Sequence, residues 1–227
     1  MLIVKNVAKN YKKKNILNGV SFEITPGEIV GIIGNNGCGK TTLLSIIAGI
    51  NKPDKGQVFL DETDIFKNKD IAEVIAFVPQ ENPIIPELDA YDNYKLWFRG
   101  NRKELKESLD HGIGKQMGVS DFLYTKAGKL SGGQKKRLNI ATALTKTSRL
   151  LVMDEPGAAL DIKTKQDILK YLKEFSRNGG SVILASHEEQ EIRICDRLFI
   201  MKNGLLYPVA GYSDALEKLY NQEDFYE

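Results

Sequence analysis

The sequence contains no long hydrophobic run and little cysteine. Its apolar stretches, such as those at residues 29–33, 150–153 and 182–185, fall far short of the roughly 20 residues that a membrane-spanning helix needs. The first residues lack the apolar region of a signal peptide. Cys38 and Cys195 lie far apart and form no CxxC pair, so neither a disulfide framework nor a zinc site is indicated. We therefore expect a soluble protein of the reducing cytoplasm.

An excess of charge of one sign is missing as well. The chain has 32 Lys and Arg against 30 Asp and Glu, a net charge of +2, whereas a nucleic-acid partner usually requires a clustered basic excess. We therefore expect no nucleic-acid partner. The 227 residues, 42% of them hydrophobic, suffice to bury the core of one large domain or two small ones. This composition excludes a mainly disordered or collagen-like protein.

Apolar segments of strand length alternate with helical segments along the chain. Residues 20–24 alternate with the period of a strand, and residues 28–33 form the apolar run typical of a strand covered on both faces. This alternation predicts an α/β fold with a mostly parallel central sheet and helices on both faces. The predicted strands are 2–7, 20–24, 28–33, 56–60, 74–78, 150–153, 181–185, 197–201 and 205–209, and the predicted helices are 41–49, 164–177, 188–194 and 213–220.

Residues 89–147 differ from the rest, with helix formers, long charged side chains and few β-rich runs. We interpret them as a helical subdomain inserted into an α/β core formed by residues 1–88 and 148–227. Trp97 is expected to be buried inside this helical arm.

A glycine-rich loop follows the strand at 28–33. Its sequence fits G-x-x-x-x-G-K-[ST] between a strand and a helix, a loop whose backbone amides surround phosphate at a helix N-terminus. Lys40 can reach the terminal phosphates, and the Thr41 hydroxyl can bind Mg²⁺. Cys38 is either a thiol activated by the helix and by Lys40 or a small residue that fits. The predicted phosphate-binding residues are Gly34, Asn35, Asn36, Gly37, Cys38, Gly39, Lys40, Thr41 and Thr42.

The strand at 150–153 ends in two carboxylates, Asp154 and Glu155. Ligands bind at such strand tips in parallel sheets. Asp154 can hold Mg²⁺ directly or through water, and Glu155 can act as the general base on a water molecule. The alternative is a pair of carboxylates that cap the following helix.

A second candidate anion site lies at residues 130–134, Leu-Ser-Gly-Gly-Gln, directly before a helical segment. Ser131 is a good N-cap, and glycines at a helix start expose backbone N–H groups. An ordinary capped helix is the alternative.

These three motifs together resemble the ATP-binding cassette ATPase family. Residues 130–134 match the family's signature letter for letter, and the phosphate loop and the Asp-Glu strand precede and follow it in the family's order. The resemblance extends from Tyr11 to about residue 204. It implies a P-loop NTPase fold with an N-terminal antiparallel β segment, and ATP and Mg²⁺ as ligands. It also implies that Ser131, Gly132, Gly133 and Gln134 contact nucleotide.

The resemblance implies roles for four further residues. Tyr11 would stack on adenine, and Gln80 would sense Mg²⁺ and the attacking water, so that it counts as both a catalytic and a metal-site residue. Asp161 would contact the partner subunit at the nucleotide, and His187 would be the catalytic switch at the terminal phosphate. The alternatives are a surface aromatic for Tyr11, a solvated turn for Gln80 and a helix N-cap for His187.

The resemblance also implies an assembly. Two copies, or this chain and a homologous ATPase subunit, would form a head-to-tail dimer with two ATP molecules between them. Separate transmembrane subunits would recruit the chain to the inner face of the cell membrane, and the segment at 83–100 resembles that of export-type transporters. A non-transport cassette ATPase acting on a soluble assembly, such as iron–sulfur biogenesis or a cell-division complex, is the alternative. One departure is Gly157, where the family often has Thr or Ser; we expect it to loosen the segment before Asp161.

Overall fold

The computed structural model describes residues 1–12, 14–68, 70–71, 74–81, 83–145, 148–158 and 160–220. The strands are β1 (Leu2–Tyr11), β2 (Lys14–Ile24), β3 (Ile29–Ile33), β4 (Lys55–Leu60), β5 (Thr63–Asp64), β6 (Ile75–Val78), β7 (Leu150–Asp154), β8 (Ser181–Ala185), β9 (Arg197–Lys202) and β10 (Leu205–Val209). The helices are α1 (Lys40–Ile47), α2 (Ala90–Trp97), α3 (Arg102–Asp110), α4 (Ile113–Gln116), α5 (Gly132–Ala143), α6 (Ile162–Arg177), α7 (Glu189–Ile192) and α8 (Tyr212–Tyr220).

Two sheets organise the fold. The central sheet has the order β10-β9-β3-β8-β7-β6, and all its pairs are parallel except the antiparallel hairpin of β9 and β10. Every residue of β3, β7 and β8 is buried, as expected for strands covered on both faces. The other sheet is antiparallel, in the order β2-β1-β4-β5. The predicted α/β fold with an N-terminal antiparallel segment is confirmed.

Most strand and helix bounds agree with the predictions to within one or two residues, and the exceptions have local causes. β1 and β2 are much longer than 2–7 and 20–24 because their pairing is irregular, with register shifts between Val4 and Val7, Val7 and Ala8, and Lys9 and Asn10. These irregularities interrupt the alternation by which a strand is recognised. α7 is shorter than predicted, because Arg193 already stands at its C-terminal cap.

The arm consists of α2, α3, α4 and α5 with two short 3₁₀ segments at Val119–Phe122 and Ala127–Lys129. Its apolar residues share one buried cluster with a face of the central sheet. The boundaries 1–88, 89–147 and 148–227 stay a prediction, and residues 146, 147 and 221–227 lie outside the described residues.

The prediction for Trp97 is wrong, because its side chain is 51% exposed. α2 buries Ala90, Asn93 and Tyr94, and Trp97 is its last residue. The ring of the next residue, Phe98, stacks on Tyr94 at a centroid distance of 6.2 Å, so Phe98 and not Trp97 packs against the buried face of α2.

Across the described ranges, every helix is too short or too polar to cross a lipid bilayer.

Gly56 fits against an irregularity of β1 and provides a test of the N-terminal sheet. Its φ is +86°, and a Cβ at this position would overlap the carbonyl oxygens of Lys5 and Asn6. Gly19 has a similar φ of +96° but open space around it. We expect Gly19→Ala to destabilise the protein by about 1–2 kcal/mol through its backbone conformation, and Gly56→Ala by roughly 1–3 kcal/mol more through the overlap. Urea unfolding measures both; equal losses would contradict this packing.

Candidate active site

The glycine-rich loop wraps around its own lysine. α1 begins at Lys40, and its N-cap, Gly39, has a left-handed conformation with a φ of 117°. Lys40 is buried, and its Nζ donates to the carbonyl oxygen of Gly34 at 2.5 Å and of Asn35 at 3.3 Å. The ammonium group therefore lies inside the loop whose amides are expected to receive phosphate.

The Cys38 side chain is partly buried within the loop. Burial raises the pKa of its thiol and outweighs the opposite effect of the Lys40 ammonium. A Cβ on Gly34 would lie 2.9 Å from Cys38 Sγ, so the side chain fills space within the loop. Its packing supports the interpretation as a small residue that fits.

The two carboxylates at the end of β7 have different environments. Asp154 is 1% exposed, and its Oδ2 accepts a hydrogen bond from Thr41 Oγ1 at 2.6 Å. Burial raises the pKa of Asp154, and the nearby Glu155 carboxylate adds to the effect, while Thr41, Lys40 and Lys136 oppose it. Thr41 and Asp154 thus present a hydroxyl and a carboxylate oxygen to the same point, and oxygen donors of this kind are the ones that Mg²⁺ prefers.

Glu155 faces the predicted catalytic partners. Its backbone has a φ of +48°, uncommon for a residue other than glycine, and its N–H donates to the carbonyl oxygen of Ala185 at 2.9 Å. Gln80 Nε2 donates to Glu155 Oε2 at 3.1 Å, and His187 Nε2 lies 3.7 Å from Glu155 Oε1. From the sequence, the only indication that these three residues lie close together is that each follows a predicted strand.

The pKa of His187 lies below its ordinary value. Burial lowers its pKa and the Lys40 ammonium lowers it further, against the opposing effect of Glu155. Lys40 Nζ lies 3.4 Å from His187 Nε2, and an ammonium group can only donate. Nε2 is therefore assigned as the acceptor and Nδ1 as the protonated nitrogen. The alternative as a helix cap is not supported, because Glu188 holds the N-cap position of α7.

These groups surround one open cavity of about 690 Å³, a size typical of ligand sites. The carboxyl ends of β3, β6, β7 and β8 contribute its walls, since each predicted residue follows one of these strands. The lining residues are Lys14, Ile16, Asn36, Gly37, Gly39, Lys40, Thr41, Thr42, Gln80, Asp154, Glu155 and His187.

The signature and Asp161 lie elsewhere. Ser131 Oγ accepts from the Gln134 N–H at 3.2 Å and Gln134 Oε1 accepts from the Ser131 N–H at 2.9 Å, which is a capping box at the start of α5. Asp161 caps α6 through Thr164, and its Oδ2 lies 3.7 Å from the position of a Cβ on Gly133. Asp161 is therefore beside its own chain's signature and outside the cavity.

Tyr11 ends β1 with an exposed ring, and Lys9 Nζ lies 5.7 Å from the ring centroid. It does not line the cavity. Its stacking on adenine stays a prediction.

Sequence reasoning missed two buried charged residues behind the cavity, Lys136 and Glu191. Lys136 is 4% exposed, and its Nζ donates to the Pro79 carbonyl oxygen at 3.1 Å. Burial lowers its pKa, while Asp154, Glu191 and Glu155 oppose the shift. α5 buries six of its twelve residues on several faces, so no helical period in the sequence distinguishes the buried Lys136 from the half-buried Lys135.

A protein-family model described as ABC transporter matches residues 17–158 of the chain. The chain belongs to the ABC transporter family.

Relatives cover nearly the whole chain. A spermidine/putrescine import ATP-binding protein of Mycoplasma mycoides is 31% identical over 99% of this chain, and the chain spans 64% of that protein. The linearmycin resistance ATP-binding protein LnrL of Bacillus subtilis is 33% identical over 96% of the chain and 72% of its own length. A dimeric ATP-binding cassette solved in a post-hydrolysis state with ADP and phosphate has a TM-score of 0.84, 30% identity, and coverage of 93% of this chain and 100% of its own.

Removing the Glu155 carboxylate tests the predicted base. We expect Glu155→Gln to keep ATP binding, because the phosphate loop is untouched, and to lower kcat by roughly 10²–10⁴. The protein should then accumulate as an ATP-dependent dimer in size-exclusion chromatography. Glu174→Gln, on the exposed face of α6, is the matched control. Wild-type turnover in Glu155→Gln would mean that another group activates the water.

Proposed function

We propose that the chain is the ATP-hydrolysing subunit of a membrane transporter whose membrane-spanning segments belong to separate chains. The convergence of the phosphate loop, Asp154, Glu155, Gln80 and His187 on one cavity carries this proposal. Membership of the ABC transporter family supports it.

The phosphate loop binds the triphosphate of ATP. Its backbone amides and the N-terminus of α1 receive the phosphate oxygens, and Lys40 exchanges its bonds to the Gly34 and Asn35 carbonyls for bonds to phosphate. Thr41 and Asp154 would hold Mg²⁺, which would neutralise charge on the phosphate oxygens. Tyr11 supplies a ring face for adenine.

Hydrolysis requires a water molecule placed in line with the terminal phosphorus. The Glu155 carboxylate accepts a proton from this water as its oxygen attacks, and the bond to the bridging oxygen of ADP breaks. Gln80, hydrogen-bonded to Glu155, orients the water. His187, whose Nε2 lies 3.4 Å from Lys40 Nζ, donates a hydrogen bond toward the phosphate.

A second subunit completes the site. Gly132 has open space on the side where a Cβ would stand, and the signature does not line its own cavity. In a head-to-tail dimer of two copies, or with a homologous subunit, each signature faces the partner's phosphate loop. Ser131, Gly132, Gly133 and Gln134 then contact ATP from the opposite side, with Asp161 at the same interface.

A carboxylate at Gly132 tests this arrangement. Gly132→Asp places a negative charge against the triphosphate in a partly desolvated interface and covers the backbone amides. We expect ATP still to bind the monomer, whereas ATP-driven dimerisation and hydrolysis are lost. Gly211→Ala, at another glycine with open space around it, is the control. Normal hydrolysis by Gly132→Asp would overturn the signature assignment.

Mixing two inactive variants shows whether the signature acts in trans. In a dimer of Gly132→Asp with Lys40→Ala, both defects fall in the same composite site and the other site is intact. We expect activity above that of either variant alone, up to one working site per mixed dimer. Recovery cannot occur if the signature serves its own subunit, because every site would then carry one defect.

Large apolar side chains on and beside α2 form the proposed contact with the membrane subunit. Leu96, Trp97 and Tyr124 are exposed, and a groove of about 610 Å³ lies alongside, lined in part by Tyr91 and Phe98. Exposed apolar groups of this kind mark interaction sites. A short helix from a transmembrane subunit fits this surface and holds the chain at the cytoplasmic face of the membrane.

The direction of transport is the finer part of the proposal. We infer export from the segment at 83–100, while the relatives include an import protein and a resistance protein. Vesicle uptake with the co-purified membrane subunit tests it, since export from the cell appears as ATP-driven accumulation in inside-out vesicles.

Removing the exposed indole tests the docking surface. We expect Trp97→Ser to reduce the fraction of the chain in washed membranes by about tenfold, the effect of losing one buried aromatic anchor at an interface. Ile50→Ser, at an exposed isoleucine after α1, should leave that fraction unchanged. Equal membrane fractions for the two variants would contradict docking at α2.

A further inference from the structure

A buried carboxyl group lies behind the cavity without a role in the steps above. Glu191 is 2% exposed, and within the described residues its Oε2 has no hydrogen-bond partner. Burial raises its pKa, and a hydrogen bond from Ser186 and the charges of Lys165 and Lys136 oppose the shift. Burying a carboxyl group is unfavourable in free energy, so its presence at this position calls for a structural or functional explanation.

Gly157 provides the space for this carboxyl group. A Cβ on Gly157 would overlap Glu191 Oε1 and would lie 3.2 Å from Glu191 Cδ. The backbone of Gly157 is not in the left-handed region, so its conformation is open to any residue. This position requires glycine because there is no room for a side chain, and not because of its backbone conformation. The expectation that Gly157 loosens the segment before Asp161 is replaced by close packing against Glu191.

Glu191 thereby contacts both segments that carry the reacting groups. Gly157 follows Glu155 by two residues, and Ser186, whose hydroxyl lowers the pKa of the Glu191 carboxyl group, directly precedes His187. Ser186 is 1% exposed, and its Oγ also accepts from the Glu188 N–H at 2.9 Å. Glu191 therefore interacts both with the segment after Glu155 and with the residue before His187. The side chains of Glu155 and His187 lie 3.7 Å apart.

Lys136 contacts a third segment, the one that carries Gln80. Its Nζ donates to the carbonyl oxygen of Pro79, the residue before Gln80, and its charge acts on Glu191, Asp154 and Glu155. The unusual φ of Glu155 persists only where its surroundings fix it. Glu191 packs against Gly157, two residues after Glu155, and Lys136 bonds to the residue before Gln80, so both buried groups lie beside the segments that carry the reacting residues.

We propose that Glu191, supported by Lys136, is a positioning residue that sets the spacing of Gln80, Glu155 and His187, and that Gly157 is present because the Glu191 carboxyl group occupies its side-chain space. The inference rests on the ATPase activity of the chain and is independent of transport. Changes at Glu191 or Gly157 are therefore expected to alter kcat and to leave ATP binding unchanged.

A double-mutant cycle tests the contact. Gly157→Ala should lower kcat by at least tenfold at unchanged KM for ATP, because displacement of catalytic groups by about 1 Å can cost 10²-fold. Glu191→Ala should lower kcat to a similar extent. In the Glu191→Ala background the added methyl group has room, so Gly157→Ala should then change kcat by less than twofold, a strong departure from additivity.

Conservative and matched variants separate positioning from general stability. Glu191→Gln keeps the shape and the acceptor for Ser186, and should retain kcat to within about threefold. Glu189→Ala, on the exposed face of α7, and Gly211→Ala, in open space, should match the wild type. Melting temperatures of all variants are measured, and kcat is compared well below the lowest of them.

Each result decides the matter. Additive losses in the cycle, wild-type kcat in Gly157→Ala, or a loss confined to KM would overturn the proposal. Should Glu191→Ala fail to fold, Gly157→Ala and Glu191→Gln still test it, since the first must lose kcat and the second must keep it. Absence of hydrolysis in the wild-type chain would contradict the ATPase itself, a failure distinct from additivity in an active enzyme.

Discussion

The parallel register of the central sheet is the constraint on which the site depends. β7 and β8 pair Asp154 with Ala185, and β3 and β8 pair Ile32 with Ala185, so the chain leaves neighbouring strands at one level. The glycine-rich loop follows β3, the two carboxylates stand at the end of β7, and His187 follows β8. Gln80 follows β6, the neighbour of β7. A shift of one residue between strands would reverse which side chains face the helices, and every residue of β3, β7 and β8 is buried. Apolar burial on both faces therefore fixes the positions of the polar groups beyond it.

The same constraint explains which parts of the site were predictable. Motifs such as G-x-x-x-x-G-K-[ST] and the Asp-Glu strand end are local in sequence, and parallel pairing brings local motifs to one edge. Lys136 and Glu191 carry no such local signal. Lys136 stands between Lys135 and Arg137, and only the packing of α5 against β6 and the adjoining loop shows that Lys136 is the buried one. Gly157 was recognised as a departure, but its partner is 34 positions away and visible only in three dimensions.

Elements outside the motifs were predicted less well for a related reason. The long strands β1 and β2 contain irregular pairing that obscures their alternation, whereas the regular strands β8 and β10 have the predicted bounds. Trp97 is exposed while the neighbouring Phe98 packs on Tyr94, and composition cannot show which of two adjacent aromatic residues is buried. Both errors arise where tertiary contacts override the preference of a residue taken alone.

The charges behind the cavity connect the chemistry to the arm. Asp154 and Glu191 are buried carboxyl groups, and burying such groups is unfavourable unless opposite charges and hydrogen bonds accompany them. Lys40 and Thr41 supply these from α1, and Lys136 supplies them from α5. The N-terminus of α5 carries the signature, and Lys136 follows Gly132 by about one helical turn. One helix thus bears the groups proposed to meet the partner's ATP and the ammonium that faces its own chain's carboxylates, so a shift of α5 would affect both sites of the proposed dimer.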